Sequence, residues 1–165
     1  MRSYSPAKRK NMFKSIIVVL LLVPSLSFAQ LYINKTKSQV KEEIGKNFFG
    51  KDNISATISE TDSSLVMKVR GKGTTEADYT YNFDSSGKCN TEKTVTWCDS
   101  CHEKLLQNVF AMKKYGWKKI NANQYVSKFS EGMLLGTHVV NSVYSFSIVR
   151  TNLTKKMYKF LMDNY

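Results

Sequence analysis

The run Trp97-Cys98-Asp99-Ser100-Cys101-His102 concentrates two of the three cysteines and one of the two histidines of this chain in six positions. Several chemistries use such a run. Cys-x-x-Cys-His is the attachment signature of haem c: Cys98 and Cys101 form thioethers with the two vinyl groups, His102 ligates the iron, and His138, Met112, Met133, Met157 or Met162 supplies a sixth ligand. A Cys-x-x-Cys pair between a strand and a helix also suits thiol redox chemistry, because a helix N-terminus favours the thiolate of the first cysteine. Cys89, Cys98 and Cys101 with either histidine make a zinc set. The remaining reading is structural: Cys89 bonds Cys98 or Cys101 and staples a hairpin to the next helix, a closure of about ten residues worth on the order of 2–3 kcal/mol. Equally structural is a set of three small buried apolar groups.

The surrounding sequence discriminates among these. Both prolines, Pro6 and Pro24, lie near the N-terminus, so the cis-Pro that faces the cysteines in thioredoxin-like proteins has no counterpart here. No second paired motif accompanies the cysteines, which weakens zinc. The flanks read as strands, whereas small haem c proteins are mostly helical. A structural role for Cys89, Cys98 and Cys101 is therefore expected, with haem c on Cys98, Cys101 and His102 as the alternative; no catalytic residue, metal ligand or cofactor is assigned. Other chemistry is sparse. Glu42 and Glu43 are adjacent on a helix and point about 100° apart, so they do not share an acid/base site. His138 sits in a candidate strand beside Val139 and Val140, and no hydrolase elbow, phosphate loop or His-Glu-x-x-His run is present.

The elements that position this run follow from periodicity. Thr36-Lys37-Ser38-Gln39 is a capping box, and Val40, Ile44 and Phe48 continue it as one apolar stripe toward a stop at Gly50. Alternation then predicts strands on Ile54, Ala56 and Ile58; on Leu65, Met67 and Val69; and on Ala77, Tyr79, Tyr81 and Phe83. Asp84-Ser85-Ser86-Gly87 is a hairpin turn. A fourth strand is expected to carry Cys89, Val95 and Trp97 on one face. A second capping box, Ser100 to Glu103, opens a helix through Leu105, Leu106, Val109, Phe110 and Met112 toward Gly116. Strands are predicted over 124–129, 133–140 and 142–150, and a short amphipathic helix over 154–162.

The N-terminus reads as an export signal. Lys8, Arg9, Lys10 and Lys14 precede the apolar run 16–23, and Ser27-Phe28-Ala29 supplies a cleavage site before Gln30. Met12 is a second plausible start codon beside Met1. The apolar run is shorter than the roughly 20 residues a membrane helix needs, so no transmembrane segment is expected after cleavage. Removing residues 1–29 takes away five of the 25 cations and none of the 13 acids, leaving a net charge of +7. These cations are scattered and no recognition motif accompanies them, so nucleic acid is not an expected partner. A periplasmic or secreted location follows.

Residues 34–45, with the pattern Thr-x-x-x-Val-x-x-x-Ile-Gly, followed by hairpins and by Tyr81-Asn82-Phe83-Asp84-Ser85-Ser86-Gly87-Lys88-Cys89, resemble small exported proteins of the fold shared by β-lactamase inhibitor protein and outer-membrane assembly lipoproteins. The Tyr-x-Phe-Asp-x-x-Gly-Lys-Cys strand and turn is also similar to uncharacterised secreted proteins of bacteria with a double membrane. The resemblance implies an α+β fold and protein binding, and it carries no catalytic residues. Unlike the lipoproteins, this chain has no cysteine after the cleavage site to accept a lipid. The expectation is one α+β domain over 30–165. It comprises two helix-plus-antiparallel-sheet units, approximately 34–97 and 100–150, in one compact layer. Its expected role is non-enzymatic binding of a protein or envelope component.

Overall fold

The computed structural model describes residues 31–48, 55–71 and 76–164. The expected signal and its cleavage site, the helix stop at Gly50 and the strand start at Ile54 lie outside them. Among the described residues, three helices and one eight-stranded antiparallel sheet make a mixed α+β fold that is mostly sheet. In chain order the elements are α1 (Lys37–Phe48), β1 (Ser55–Glu60), β2 (Ser64–Arg70), β3 (Ala77–Phe83), β4 (Cys89–Thr96), α2 (Asp99–Ala111), β5 (Lys118–Asn121), β6 (Gln124–Val126), β7 (Met133–Val140), β8 (Val143–Arg150) and α3 (Lys155–Asn164). The strand order β1-β2-β3-β4-β8-β7-β6-β5 joins the two runs of strands along β4 and β8.

The capping box of α1 forms as expected, with the Thr36 amide donating to Oε1 of Gln39 at 2.9 Å and the Gln39 amide to Oγ1 of Thr36 at 3.3 Å. The stripe it starts buries Val40 and Ile44 against Leu65, Met67 and Val69 of β2 and Tyr81 and Phe83 of β3. A second apolar cluster gathers Val109 of α2 with Met133, Leu135, Phe146 and Ile148 of β7 and β8. Period-two alternation thus gives this sheet one face under α1 and α2 and another that presents Lys68, Asn82, Lys93 and His138 to water.

Three expectations are corrected. The β3–β4 register shifts after Asn82, so Phe83 pairs Cys89 while Asn82 pairs Thr91. This bulge turns Cys89 inward, with Glu92, Thr94 and Thr96 after it, and leaves Val95 and Trp97 on the opposite face. The helix α2 begins two residues before the expected Ser100 box, with Cys98 as its N-cap. The second half has a fourth strand, β5, which pairs β6 at the sheet edge.

The segment 31–35 ties the two clusters together. Leu31 is buried in the α2-side cluster, Tyr32 in the α1-side cluster, and Ile33 packs against both. Its backbone lies along the start of β4, with the Asn34 amide donating to the Cys89 carbonyl and the Cys89 amide to the Lys35 carbonyl, both at 2.8 Å. The amides of Tyr32 and Ile33 both donate to Oε1 of Glu92, that of Ile33 at 2.8 Å. Glu92 stands inside the protein, and burial pushes its carboxyl up to about 8 against the opposing pull of these two amides and of Lys35.

Gly132, in the turn into β7, has φ +59° and accepts a hydrogen bond from the Thr151 amide at 2.7 Å. A Cβ there would lie 3.2 Å from the Thr151 carbonyl oxygen, on backbone that cannot easily yield. Gly132→Ala is expected to lower unfolding free energy by about 1–2 kcal/mol in urea denaturation.

Candidate functional site

The Cys98–Cys101 pair is a disulfide with its Cα atoms 5.1 Å apart, and Cys89 is a free, fully buried cysteine in the α1-side core. The expected staple from Cys89 to Cys98 or Cys101 is therefore not the bond that forms, because the β4 bulge turns Cys89 into the core. The bond instead closes across the first turn of α2, where the His102 amide already donates to the Cys98 carbonyl at 3.0 Å.

His102 points inward. Its ring lies 5.7 Å from Tyr144 and 5.9 Å from Phe146, centroid to centroid, and its Nδ1 is buried without a hydrogen-bond partner. Burial holds its pKa below the usual histidine range, which favours the neutral ring despite Asp99 and Glu103 nearby. The groups a covalent haem would use are thus engaged otherwise here: the sulfurs with each other, the imidazole with two aromatic rings. Among the described residues no three His, Cys, Asp or Glu side chains come together to hold a metal. His138, the other histidine, is exposed on the opposite face of the sheet, level with Ser145.

The side chain that stands out on this end of the sheet is Trp97, 48% exposed immediately before the disulfide. Its ring is not loose. The Arg70 guanidinium lies over it, Cζ 4.9 Å from the ring centroid. Arg70 is fixed in turn by Asp78 (Nη2 to Oδ1, 2.7 Å) and by the carbonyls of Val69 (2.8 Å) and Ala77 (3.3 Å). Register explains how these distant positions meet: Lys68 pairs Asp78, and Asp78 pairs Val95, so Arg70 and Trp97 are each two residues further along strands on the same face.

The same register extends the surface across β8 and β7. Thr96 pairs Tyr144, which puts Trp97 level with Val143, and Val143 pairs Val140 across the hairpin. That hairpin turns on Asn141 and Ser142, with φ of 49° and 61°, the left-handed pair a two-residue primed turn requires. Val140 and Val143 on this face of the tip are 49% and 36% exposed, and Val139, on the other face level with Tyr144, is 55% exposed. Inward from this end, Thr80, Lys93, Ser147 and Gly136 align on the outer face across β3, β4, β8 and β7.

No family model, curated protein or solved structure matches this chain. On this face a half-exposed aromatic ring lies under a guanidinium, next to the apolar tip of the β7–β8 hairpin. No helix among the described residues is long and apolar enough to cross a membrane. Of the sequence-expected site residues, Cys98 directly follows Trp97, His102 packs on Tyr144 and Phe146 of the opposite face, and Cys89 lies in the α1-side core. Arg70, Asp78, Val140 and Val143 were not among the expected residues. Trp97 was expected on the Cys89 face of its strand and stands on the other, and its partners become visible only through strand register.

Proposed function

We propose that this chain is an exported, non-enzymatic protein that binds a protein of the cell envelope through the Trp97 end of its sheet. The observation that carries the reading is the ring of Trp97, large, half exposed and stacked under the Arg70 guanidinium. A side chain already biased toward one position loses less entropy on binding, and Trp and Arg are the types that dominate interface energetics. The apolar valines beside it add area, and the net charge of +7 left after residues 1–29 favours an acidic or mixed partner surface.

In this reading the fold consists of two helix-plus-sheet units, α1 with β1 to β4 and α2 with β5 to β8, sharing the β4–β8 seam. The strand order and the two apolar clusters support that division. A periplasmic or secreted location, after cleavage between Ala29 and Gln30, rests on the signal pattern of residues 1–29. The Cys98–Cys101 bond supports it, since disulfides persist in oxidising compartments.

The test is capture of a partner from the exported fraction, followed by affinity measurement with purified components. Arg70→Ala is expected to weaken binding by about 1 kcal/mol, roughly fivefold, by releasing the Trp97 ring. An unchanged Kd would remove Arg70 from the site. An intact mass measured on the same preparation, from a host able to attach haem, is expected to show no haem-sized increment; such an increment lost in Cys98→Ala would replace the binding reading with a haem c protein.

A further inference from the structure

The Cys98–Cys101 bond has little structural work to do. A disulfide stabilises most when it closes a long loop or ties separate elements, and this one spans a single helical turn whose backbone hydrogen bond is already made. Both cysteines are only half-buried, unlike the enclosed Cys89. Cys98 is moreover the N-cap of α2, a helix of 13 residues, with extended backbone and its sulfur facing the first turn. The Cys101 amide donates to its Sγ at 3.2 Å, and the Ser100 hydroxyl lies 3.3 Å from the same atom. Each of these groups stabilises negative charge on that sulfur, as does the positive end of the helix dipole. Asp99 in the first turn opposes them, but from an exposed position where water screens it.

We propose that Cys98–Cys101 is a redox-active disulfide that exchanges with a dithiol of another exported protein. In the first step a thiolate of the partner attacks Cys98 Sγ. A partner–Cys98 bond forms, the Cys98–Cys101 bond breaks, and Cys101 leaves with the electron pair and takes up a proton. In the second step the other partner thiol loses its proton and attacks the partner's own sulfur in the mixed disulfide. Cys98 is then released as the thiolate that the Cys101 amide, the Ser100 hydroxyl and the helix end stabilise. The partner's dithiol is oxidised by two electrons to a disulfide, and Cys98 and Cys101 are reduced by two. Stabilising the leaving thiolate favours reduction of this bond and so makes the pair an oxidant toward less stabilised dithiols. The step needs a thiolate, an accessible bond and a dithiol co-reactant, none of which depends on a thioredoxin-like fold or on Trp97 serving as an anchor.

The test is a redox titration of the exported wild-type protein in reduced and oxidised glutathione, with acid quenching, alkylation and intact mass. The expected result is a reversible two-electron transition within the range of glutathione ratios, with Cys98 and Cys101 alkylated, Cys89 protected and the circular dichroism of the fold retained. A bond that stays closed at every ratio, or opens only with loss of the fold, would overturn the proposal. Single variants then locate the stabilised sulfur. Cys98 in Cys101→Ser is expected to react with Ellman's reagent at pH 6 at least about tenfold faster than Cys101 in Cys98→Ser. Equal rates would contradict the assignment of Cys98 as the stabilised thiolate, and the wild-type titration stands whether or not either variant folds.

Discussion

Replacing Trp97 by alanine is expected to weaken partner binding by about 2–4 kcal/mol, roughly 30- to 1,000-fold in Kd, while moving the melting temperature by no more than about 2 °C. The two expectations differ because the ring contributes little to the core. It is 48% exposed and stacks on Arg70, whose ion pair with Asp78 is itself partly solvated. Exposed cation–π and ion-pair contacts of this kind are worth only about 1 kcal/mol or less to folding. On binding, the same ring would be removed from water together with Val140 and Val143, and its whole apolar area would then count. Phe160→Ala is the matching control. Phe160 is 61% exposed on α3, outside the Trp97 surface, and its removal is expected to leave Kd unchanged. Isothermal titration calorimetry with thermal unfolding of the same variants separates the two effects, and a Trp97→Ala protein that binds like wild type would refute the anchor role.

The second large effect concerns Glu92. Alanine there leaves the amides of Tyr32 and Ile33 without the acceptor they share inside the protein. One buried and one part-buried donor that lose their partner cost about 2–4 kcal/mol, and the segment they hold carries Leu31 and Tyr32 into both apolar clusters. Urea denaturation of Glu92→Ala is expected to show a loss of that size, with increased proteolysis near residues 31–35. Glutamine keeps the accepting oxygen without the charge, so Glu92→Gln is expected to fold normally.

Acidity sharpens this test. The Glu92 carboxyl is raised from its ordinary value of 4.5 to about 8 by burial. The folded protein therefore holds a proton that the unfolded chain has released between those values. Stability from this group is complete below about pH 4.5 and is lost as pH rises through about 8. Wild type is expected to lose on the order of 2 kcal/mol or more between pH 5 and pH 9 that Glu92→Gln retains. A Glu92→Gln protein with the same pH profile as wild type would show that Glu92 is not the titrating group.

How far the sequence reaches is clear from particular residues. Thr36 to Gln39 predicted the start of α1, and the apolar alternation of Leu65-Met67-Val69 and Ala77-Tyr79-Tyr81-Phe83 predicted the buried faces of β2 and β3, because a single covered face imposes period two. That logic failed where a bulge interrupts it: nothing between Lys88 and Thr94 announces that the inward parity changes from Cys89 to Glu92. The edge strand β5 went unseen because only Ile120 of its four residues is buried, so no alternation is visible. The cysteine run was legible as a motif, but its pairing was not, since bulge and N-cap decide which sulfurs meet. The Arg70–Trp97 contact joins positions 27 residues apart through two strand pairings, and no local spacing encodes it.

The central claim is that partner contact occurs at one end of the outer sheet face, and site-specific photo-crosslinking addresses it most directly. Val143 and Val149 lie on the same face of β8 at opposite ends, both partly exposed at 36% and 38%. A photoreactive residue at either position therefore differs in place and little else. A partner adduct is expected from position 143, abolished by Trp97→Ala, and none from position 149. Adducts from 149 with none from 143 would contradict it.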